Sequence, residues 1–384
     1  MAGLVLLRSA NVLIPGGRIE PVDVLLEGGR IAAVAASIEP PESAETIDLA
    51  GRTLAPGFID VHVHGGGGFS LLSDDPNETA SYSRWVTSHG VTSFLATICA
   101  ADTGHGIRYA TAATTAKCEG AEMLGINFEG PFVSPERRGA LPAGWLEEPD
   151  RSLFDRLIAA GPVRVMTIAP ELDAAFDLID AALKAGVRVS VGHSDATYDI
   201  AKRAFEAGAS HVTHAFNAMR PLHHREPGPI GAAIEMPGVT VEAIADGVHL
   251  HPATVNLLVQ ALGTERVCLV TDAVTPAGLS SGKFRIGSEE AALDGGSIRL
   301  PDGTIAGSAA TMVVVVRNVI EWGIADTAGA LEMASAVPAS VASVADRKGR
   351  ISTGYDADLV VLSEDLAVLE TWVGGRRVYK CEEA

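Results

Sequence analysis

Two histidines one residue apart, His62 and His64, close the apolar run "APGFIDVHVHGGGG". An extended strand turns residues i and i+2 to the same side, so their imidazoles point together. Other apolar runs farther along end in groups of the same chemical kind: Glu129 in "NFEGP", His193 in "VGHSD", His214 in "THAFNAM", Asp246 and His249 in "ADGVH", and Asp272 in "VTDA". Imidazoles and carboxylates are ligands for divalent cations such as zinc or iron, and a catalytic site keeps one coordination position open for water. His62, His64, Glu129, His193 and His214 are more ligands than one open site needs, so one or two cations are expected. A cation lowers the pKa of water from about 15.7 to roughly 7 and makes it a nucleophile at neutral pH. Asp272 has the type and position to move that proton on to a leaving group; the competing reading is that it only ligates or orients the cation. Taken singly, a histidine at a strand end is more often a hydrogen-bonded loop residue, and a glutamate a helix cap or an arginine partner. Their shared position at strand ends is what favours chemistry. The glycines after His64 either let the backbone bend closely around the cluster or form a flexible loop.

Such a cluster needs a scaffold that brings distant strand ends together. Between residues 55 and 345 short β-branched runs alternate with longer Ala-rich amphipathic stretches. Strands are expected near "FIDVHVH", "TSFLATI", "EMLGINFEG", "VRVMTIAPE", "VRVSVGHSD", "HVTHAF", "VTVEAIADG" and "RVCLVTDAV". Helices are expected at "DAAFDLIDAALKAG" and "DATYDIAKRAFEAGA", with Gly186 and Gly208 as their C-terminal stops, and at "VVVVRNVIEWG". Eight strands in this order match an α/β (β/α)8 TIM-like barrel, whose chemistry gathers at the C-terminal ends of the strands. A doubly wound open sheet is the rival, but "GGGGFS" lacks the G-x-G-x-x-G fingerprint. Residues 1–54 and 346–384 are β-rich, with hairpin turns at Gly16-Gly17, Gly28-Gly29 and Gly374-Gly375. Neither end can form a core alone, so a small β-sandwich domain built from both termini is expected.

Composition restricts the partners. A formal net charge of −19 argues against nucleic acid or an anionic membrane as a general partner, since both need clustered Lys and Arg. No stretch reaches the roughly 18 to 20 apolar residues of a membrane span, and the N-terminal segment lacks a credible signal-peptide cleavage region. The four cysteines, Cys99, Cys118, Cys268 and Cys381, are scattered without a C-x-x-C pair. A cytoplasmic location is expected. Within this acidic chain "MRPLHHREPGP" concentrates Arg220, His223, His224 and Arg225, which suits phosphate oxygens or, equally, a solvated loop.

The series "PGFIDVHVHG", "FEGPF", "VGHSDAT", "THAFNAMRPLHHREPG", "IADGVH", "LVTDA" and "AGSAATM" resembles, in order and spacing, the amidohydrolase superfamily and within it the N-acetylglucosamine-6-phosphate deacetylase family. The resemblance covers nearly the whole chain. It implies hydrolysis of the acetamide of N-acetylglucosamine 6-phosphate, with Glu129, His193 and His214 on a principal metal and His62 with His64 on a second; zinc is the first expectation, with iron, cobalt or manganese as alternatives. It further implies Asp272 as general acid/base, and His249 on the substrate carbonyl or sugar. Asn217 and Ala218 would meet the phosphate, as would Arg225 reaching into the neighbouring site of a homodimer. The "AGSAATM" turn with Ser308 would lie near the acetyl group. One departure stands out: where the family carries a sugar-contacting histidine, this chain reads "RRGALPAGW", with Ala140, Leu141 and Pro142 at that place. Arg138 is close enough in sequence to substitute. Hydrolysis of another N-acyl or cyclic amide therefore remains a second expectation, and a non-catalytic sugar-phosphate-binding barrel a third.

Overall fold

The computed structural model describes residues 3–279, 283–286, 289–294 and 296–382; the outermost residues of both expected terminal segments, 1–2 and 383–384, lie outside these. Eight parallel strands stand side by side in chain order: Phe58–Val63, Val91–Ile98, Glu122–Phe128, Val163–Ile168, Arg188–Val191, His211–Val212, Thr240–Ala243 and Val267–Leu269. Each falls where a strand was expected. The last strand then returns to the first: the Asp272 N–H donates to the His62 carbonyl (2.9 Å) and the His64 N–H to the Ala273 carbonyl (2.8 Å). The closed ring is a (β/α)8 barrel, and its closure sets Asp272 beside the histidine pair.

Alternation along the strands separates two environments. Ile59 and Val61 pack outward with Leu95, Leu124 and Val337. The intervening Asp60 and His62 point into the barrel, where Asp60 accepts the Thr271 hydroxyl (2.6 Å). The barrel interior is therefore partly polar, and its groups are mutually hydrogen-bonded: Ser190, Thr167 and Thr213 share a hydroxyl chain, and Asn127 donates to the Val61 carbonyl. Helices Ala175–Lys184 and Tyr198–Glu206 cover the outside, and each ends just before a glycine with positive φ, Gly186 at 74° and Gly208 at 111°. There the left-handed turn that stops a helix carries no Cβ penalty.

Both ends of the chain share one eight-stranded sheet with its own core, including Leu7, Val24, Leu54, Leu359 and Trp372. Thr53–Pro56 pairs with Leu359–Leu362 in that sheet, and Gly57 links it to the first barrel strand at Phe58. A Cβ at Gly57 would sit 2.1 Å from the Thr92 side chain. Arg347 and Lys348 join the two parts through Glu122 at the start of the third barrel strand and Asp356 and Asp358 of the terminal segment. The C-terminal strand ends on the opposite side stay clear for a site. One element has no counterpart in the sequence reading: an antiparallel sheet of Lys283–Ile286, Glu289–Asp294, Ser297–Arg299 and Ile305–Ser308, placed after the eighth strand.

Candidate active site

Glu129 follows the third strand and is almost fully buried. Its Oε1 lies 2.8 Å from His193 Nε2 and 3.0 Å from His214 Nε2, and the two imidazole nitrogens are 3.0 Å apart. Three ligand atoms thus converge on one point, which suits a cation better than protons shared among them. Glu129 Oε2 faces the other way, 3.3 Å from His64 Nε2. Asp272 Oδ1 completes that second side, 3.3 Å from His64 Nε2 and 3.6 Å from His62 Nε2. His62 Nε2 is buried without a hydrogen-bond partner, the state of a nitrogen whose lone pair is meant for a cation. The residues present fit one or two divalent cations, with Glu129 between the two positions. Burial alone would raise the pKa of Glu129, but hydrogen bonds with His193, His214 and His64 outweigh it and hold the carboxyl well below its usual range. Asp272 is likewise kept ionised against its burial, by His64 and His62.

The supporting partners decide which ring nitrogen is offered. A carbonyl oxygen only accepts, so His193 Nδ1 donates to the Arg137 carbonyl (2.9 Å) and His64 Nδ1 to the Thr97 carbonyl (3.1 Å). Each Nε2 is thereby the nitrogen turned to the cluster: without a cation it donates a hydrogen bond to Glu129, and with one it offers a lone pair. His62 Nδ1 is held by the buried Glu242 carboxylate (2.8 Å), which also binds His211 and the His214 backbone N–H. Backbone strain accompanies the convergence: His193, His214, Phe216, Ala218 and Asp272 all have positive φ, from 27° to 70°. Such conformations cost on the order of 1–3 kcal/mol each, and here they turn side chains from strand ends onto one centre. The glycine run is close-packed as well. A Cβ on Gly66 or Gly67 would meet the Trp85 ring at 2.3 or 2.5 Å, so this backbone must approach where a side chain cannot fit.

The Glu242 contact yields a pH prediction. Burial opposes charge on His62, but Glu242, followed by Asp272 and Glu129, pushes its pKa up to about 9 from 6.5. A raised histidine stabilises the fold fully below its unfolded pKa and loses that contribution as pH rises through the folded value. Chelated protein should therefore melt at progressively lower temperature between pH 6.5 and about 9, and cation-loaded protein should show a smaller slope because the cation takes the proton's place. Glu242→Gln should flatten the slope of the chelated form. A melting series over that range checks this, and an unchanged slope in the variant contradicts it.

The cluster opens into a cavity of about 660 Å³ lined by His64, Glu129, His193, His214 and Asp272 among others. His249, Asn217, Ala218, Ala140 and Leu141 line the same cavity. His249 Nδ1 donates to Asp246 (2.7 Å), leaving its other nitrogen for a ligand. Two expected residues do not reach this wall. Ser308 is fully buried behind it, its hydroxyl accepting the Ala310 N–H and its own N–H donating to the Asp272 carbonyl, and the cavity surface there is made by Ala306 and Gly307. Arg225 is exposed on its turn against His224 (2.8 Å), away from the cavity of its own chain. Arg220 is committed to Asp195. Sequence reasoning missed Cys99, which lines the cavity beside His64, and Glu242 beneath it. The i, i+2 relation to Thr97 could have pointed to Cys99; nothing local singles out Glu242.

A closed parallel barrel whose strand ends gather imidazoles and carboxylates around a shared glutamate is the architecture of a metal-dependent hydrolase. The chain belongs to the amidohydrolase family, whose model matches residues 53–378. An N-acetylglucosamine-6-phosphate deacetylase of Bacillus subtilis (strain 168) is 38% identical over 352 residues, 90% of this chain and 89% of its own length. An N-acetylgalactosamine-6-phosphate deacetylase of Escherichia coli O157:H7 is 36% identical over 350 residues, 89% of this chain and 92% of its own. Among solved structures, an aspartate-to-alanine mutant of N-acetyl-D-glucosamine-6-phosphate deacetylase from Mycobacterium smegmatis, in complex with N-acetyl-D-glucosamine-6-phosphate, matches with a TM-score of 0.90 at 35% identity. It covers 98% of this chain and 100% of its own.

Proposed function

We propose that this chain hydrolyses the acetamide of N-acetylglucosamine 6-phosphate to glucosamine 6-phosphate and acetate. The observation that carries the reading is that Glu129, His64, His193, His214, Asp272 and His249 all face one cavity of sugar size, with His62 buried beside Asp272. The relatives' activities support the substrate class. Glu129, His193 and His214 would hold the principal cation and His62 with His64 the second; zinc suits imidazole and carboxylate donors. A cation there supplies Lewis-acid polarisation of the amide carbonyl and a lowered pKa for water. Asp272, ionised between His64 and the cavity, takes the proton of the attacking water and delivers it to the amide nitrogen. Both transfers are needed because an amine departs only once protonated. His249, steadied by Asp246, donates to the carbonyl or a sugar hydroxyl. Asn217 and Ala218 meet the phosphate at the cavity rim, and Leu141 presents an apolar wall to the sugar where the family resemblance leads one to expect a histidine.

Arg225 reaches the phosphate from a second subunit in this proposal, consistent with its exposure and its distance from its own cavity. Mixing Arg225→Ala with Asp272→Asn chains then restores turnover at low KM in one site of the hybrid dimer, a combination neither variant alone has, since Arg225→Ala turns over only at raised KM and Asp272→Asn binds without turning over. Four unpaired cysteines suit a reducing cytoplasm, and no described helix is long and apolar enough to cross a membrane. The relative active on the galactosamine epimer, together with Leu141, favours one further reading: the epimer as substrate. Acetate release is to be measured with N-acetylglucosamine 6-phosphate, its galactosamine epimer and unphosphorylated N-acetylglucosamine, each with cation-loaded and chelated protein. The expected result is cation-dependent turnover strongly favouring phosphorylated glucosamine. Equal turnover of the unphosphorylated sugar would sink the phosphate assignment, and preference for the epimer would replace the substrate.

A further inference from the structure

Cys99 follows the second barrel strand, Val91–Ile98, at the same end of the barrel as the histidine pair. Its strand neighbour Thr97 fixes the direction: the Thr97 hydroxyl accepts the Val63 N–H (2.9 Å), and its carbonyl accepts His64 Nδ1 (3.1 Å). Two residues on, Cys99 projects to the same side, and it lines the cavity. Its sulfur and one ligand atom each of His64 and Glu129 lie within 4.8 Å of one another. This triad shares Glu129 with the group Glu129, His193 and His214, and His64 with the group His62, His64 and Asp272; Cys99 is the member that neither of those contains. The other cysteines have no such neighbours among the described residues: Cys268 is buried in the outer apolar layer, and Cys118 and Cys381 belong to no ligand cluster.

The donors sort by direction. Glu129 Oε1 is taken by His193 and His214, whereas Oε2 turns to His64. On that second side His64 Nε2 is presented by its Thr97 contact, and Cys99 adds a sulfur. We propose that the second cation position is a thiolate site, in which Cys99 ligates together with His64 and Glu129 and with His62 adjacent. The proposal rests on the reading of the cluster as a cation site. On ligation the thiol proton passes to solvent, so the oxidation state of sulfur and metal is unchanged.

A consequence follows from the chemistry of sulfur. Thiolate donors favour zinc and other soft or borderline cations over manganese, so this position should discriminate among metals more sharply than an all-nitrogen and oxygen set. Asp272 is not a member of this triad, and with Cys99 as third ligand its carboxylate is not required to complete the set. The competing view is that Cys99 is a small wall residue that packs against substrate.

Cobalt(II) is the probe, because cobalt–thiolate bonds give an intense near-ultraviolet charge-transfer absorption that nitrogen and oxygen ligands do not. Full-length protein is stripped with chelator and titrated with cobalt(II), monitoring absorption and bound metal together. The expected result is a charge-transfer band developing with one of the bound equivalents, absent in Cys99→Ser, present in Cys118→Ser, with that equivalent bound at least about 10-fold more weakly in Cys99→Ser. Cobalt bound to wild-type protein without the band overturns the assignment, as does a band that survives in Cys99→Ser. Absence of any cobalt uptake by wild-type protein refutes the cation site itself, and the thiolate position with it. Even if the serine variant fails to fold, a wild-type spectrum without the band overturns the assignment.

Discussion

Asp272→Asn should lower kcat by about 10^4-fold while cation content stays at the wild-type level. General acid–base groups typically contribute 10^2 to 10^4, and a residue that serves both proton transfers belongs at the upper end. That corresponds to about 5 kcal/mol of transition-state stabilisation at about 1.36 kcal/mol per factor of ten. The geometry explains why the loss should fall on kcat. Asp272 Oδ1 is 3.3 Å from His64 Nε2 and its side chain faces the cavity. Asparagine keeps this shape but accepts no proton, so substrate affinity should change little. Its backbone also closes the barrel through the His62 carbonyl, and a side-chain amide leaves that bond intact. Steady-state kinetics with metal analysis checks the prediction; near-normal kcat removes Asp272 from proton transfer, and loss of cation alongside activity makes it a ligand.

Glu129→Gln should give the opposite pattern, losing both cation and activity. The carboxylate offers Oε1 to His193 and His214 and Oε2 to His64, so both oxygens are used. An amide replaces one oxygen with an NH2 group, which cannot ligate and points hydrogens at a lone pair or a cation. Loss of groups that merely support a ligand typically costs 10- to 100-fold in metal affinity, and loss of a direct, shared ligand should exceed about 100-fold. Metal analysis after dialysis, set beside kcat/KM, separates this variant from Asp272→Asn. Retention of stoichiometric cation at near-normal kcat/KM would show that Glu129 lies outside the coordination set.

Periodicity made much of the fold legible. The β-branched runs and the alanine-rich stretches ended by Gly186 and Gly208 correspond to strands and helices in the expected order. The sixth strand shows where that signal stops: "HVTHAF" reads as a continuous run, yet only His211–Val212 is strand. His214 and Phe216 take positive φ there, a choice made by the cluster and not by local propensity. The antiparallel insertion after the eighth strand was missed because its short segments interrupt the barrel's alternation instead of continuing it. Glu242 reads as an ordinary polar position within "VTVEAIADG", and only its burial against His62 and His211 reveals its role.

The amino-acid sequence alone determined the donor types and their places at strand ends, because both follow from short-range patterns of side-chain polarity and backbone period. It also determined that His62 and His64 share a direction. Tertiary structure decided which donors meet: barrel closure brings residue 272 onto the first strand, Glu129 turns one oxygen to each side, Cys99 joins the cavity, and Ser308 and Arg225 stay away from it. These outcomes depend on how eight strands close and on how loops bend under packing, and contacts between residues hundreds of positions apart leave no periodic trace along the chain.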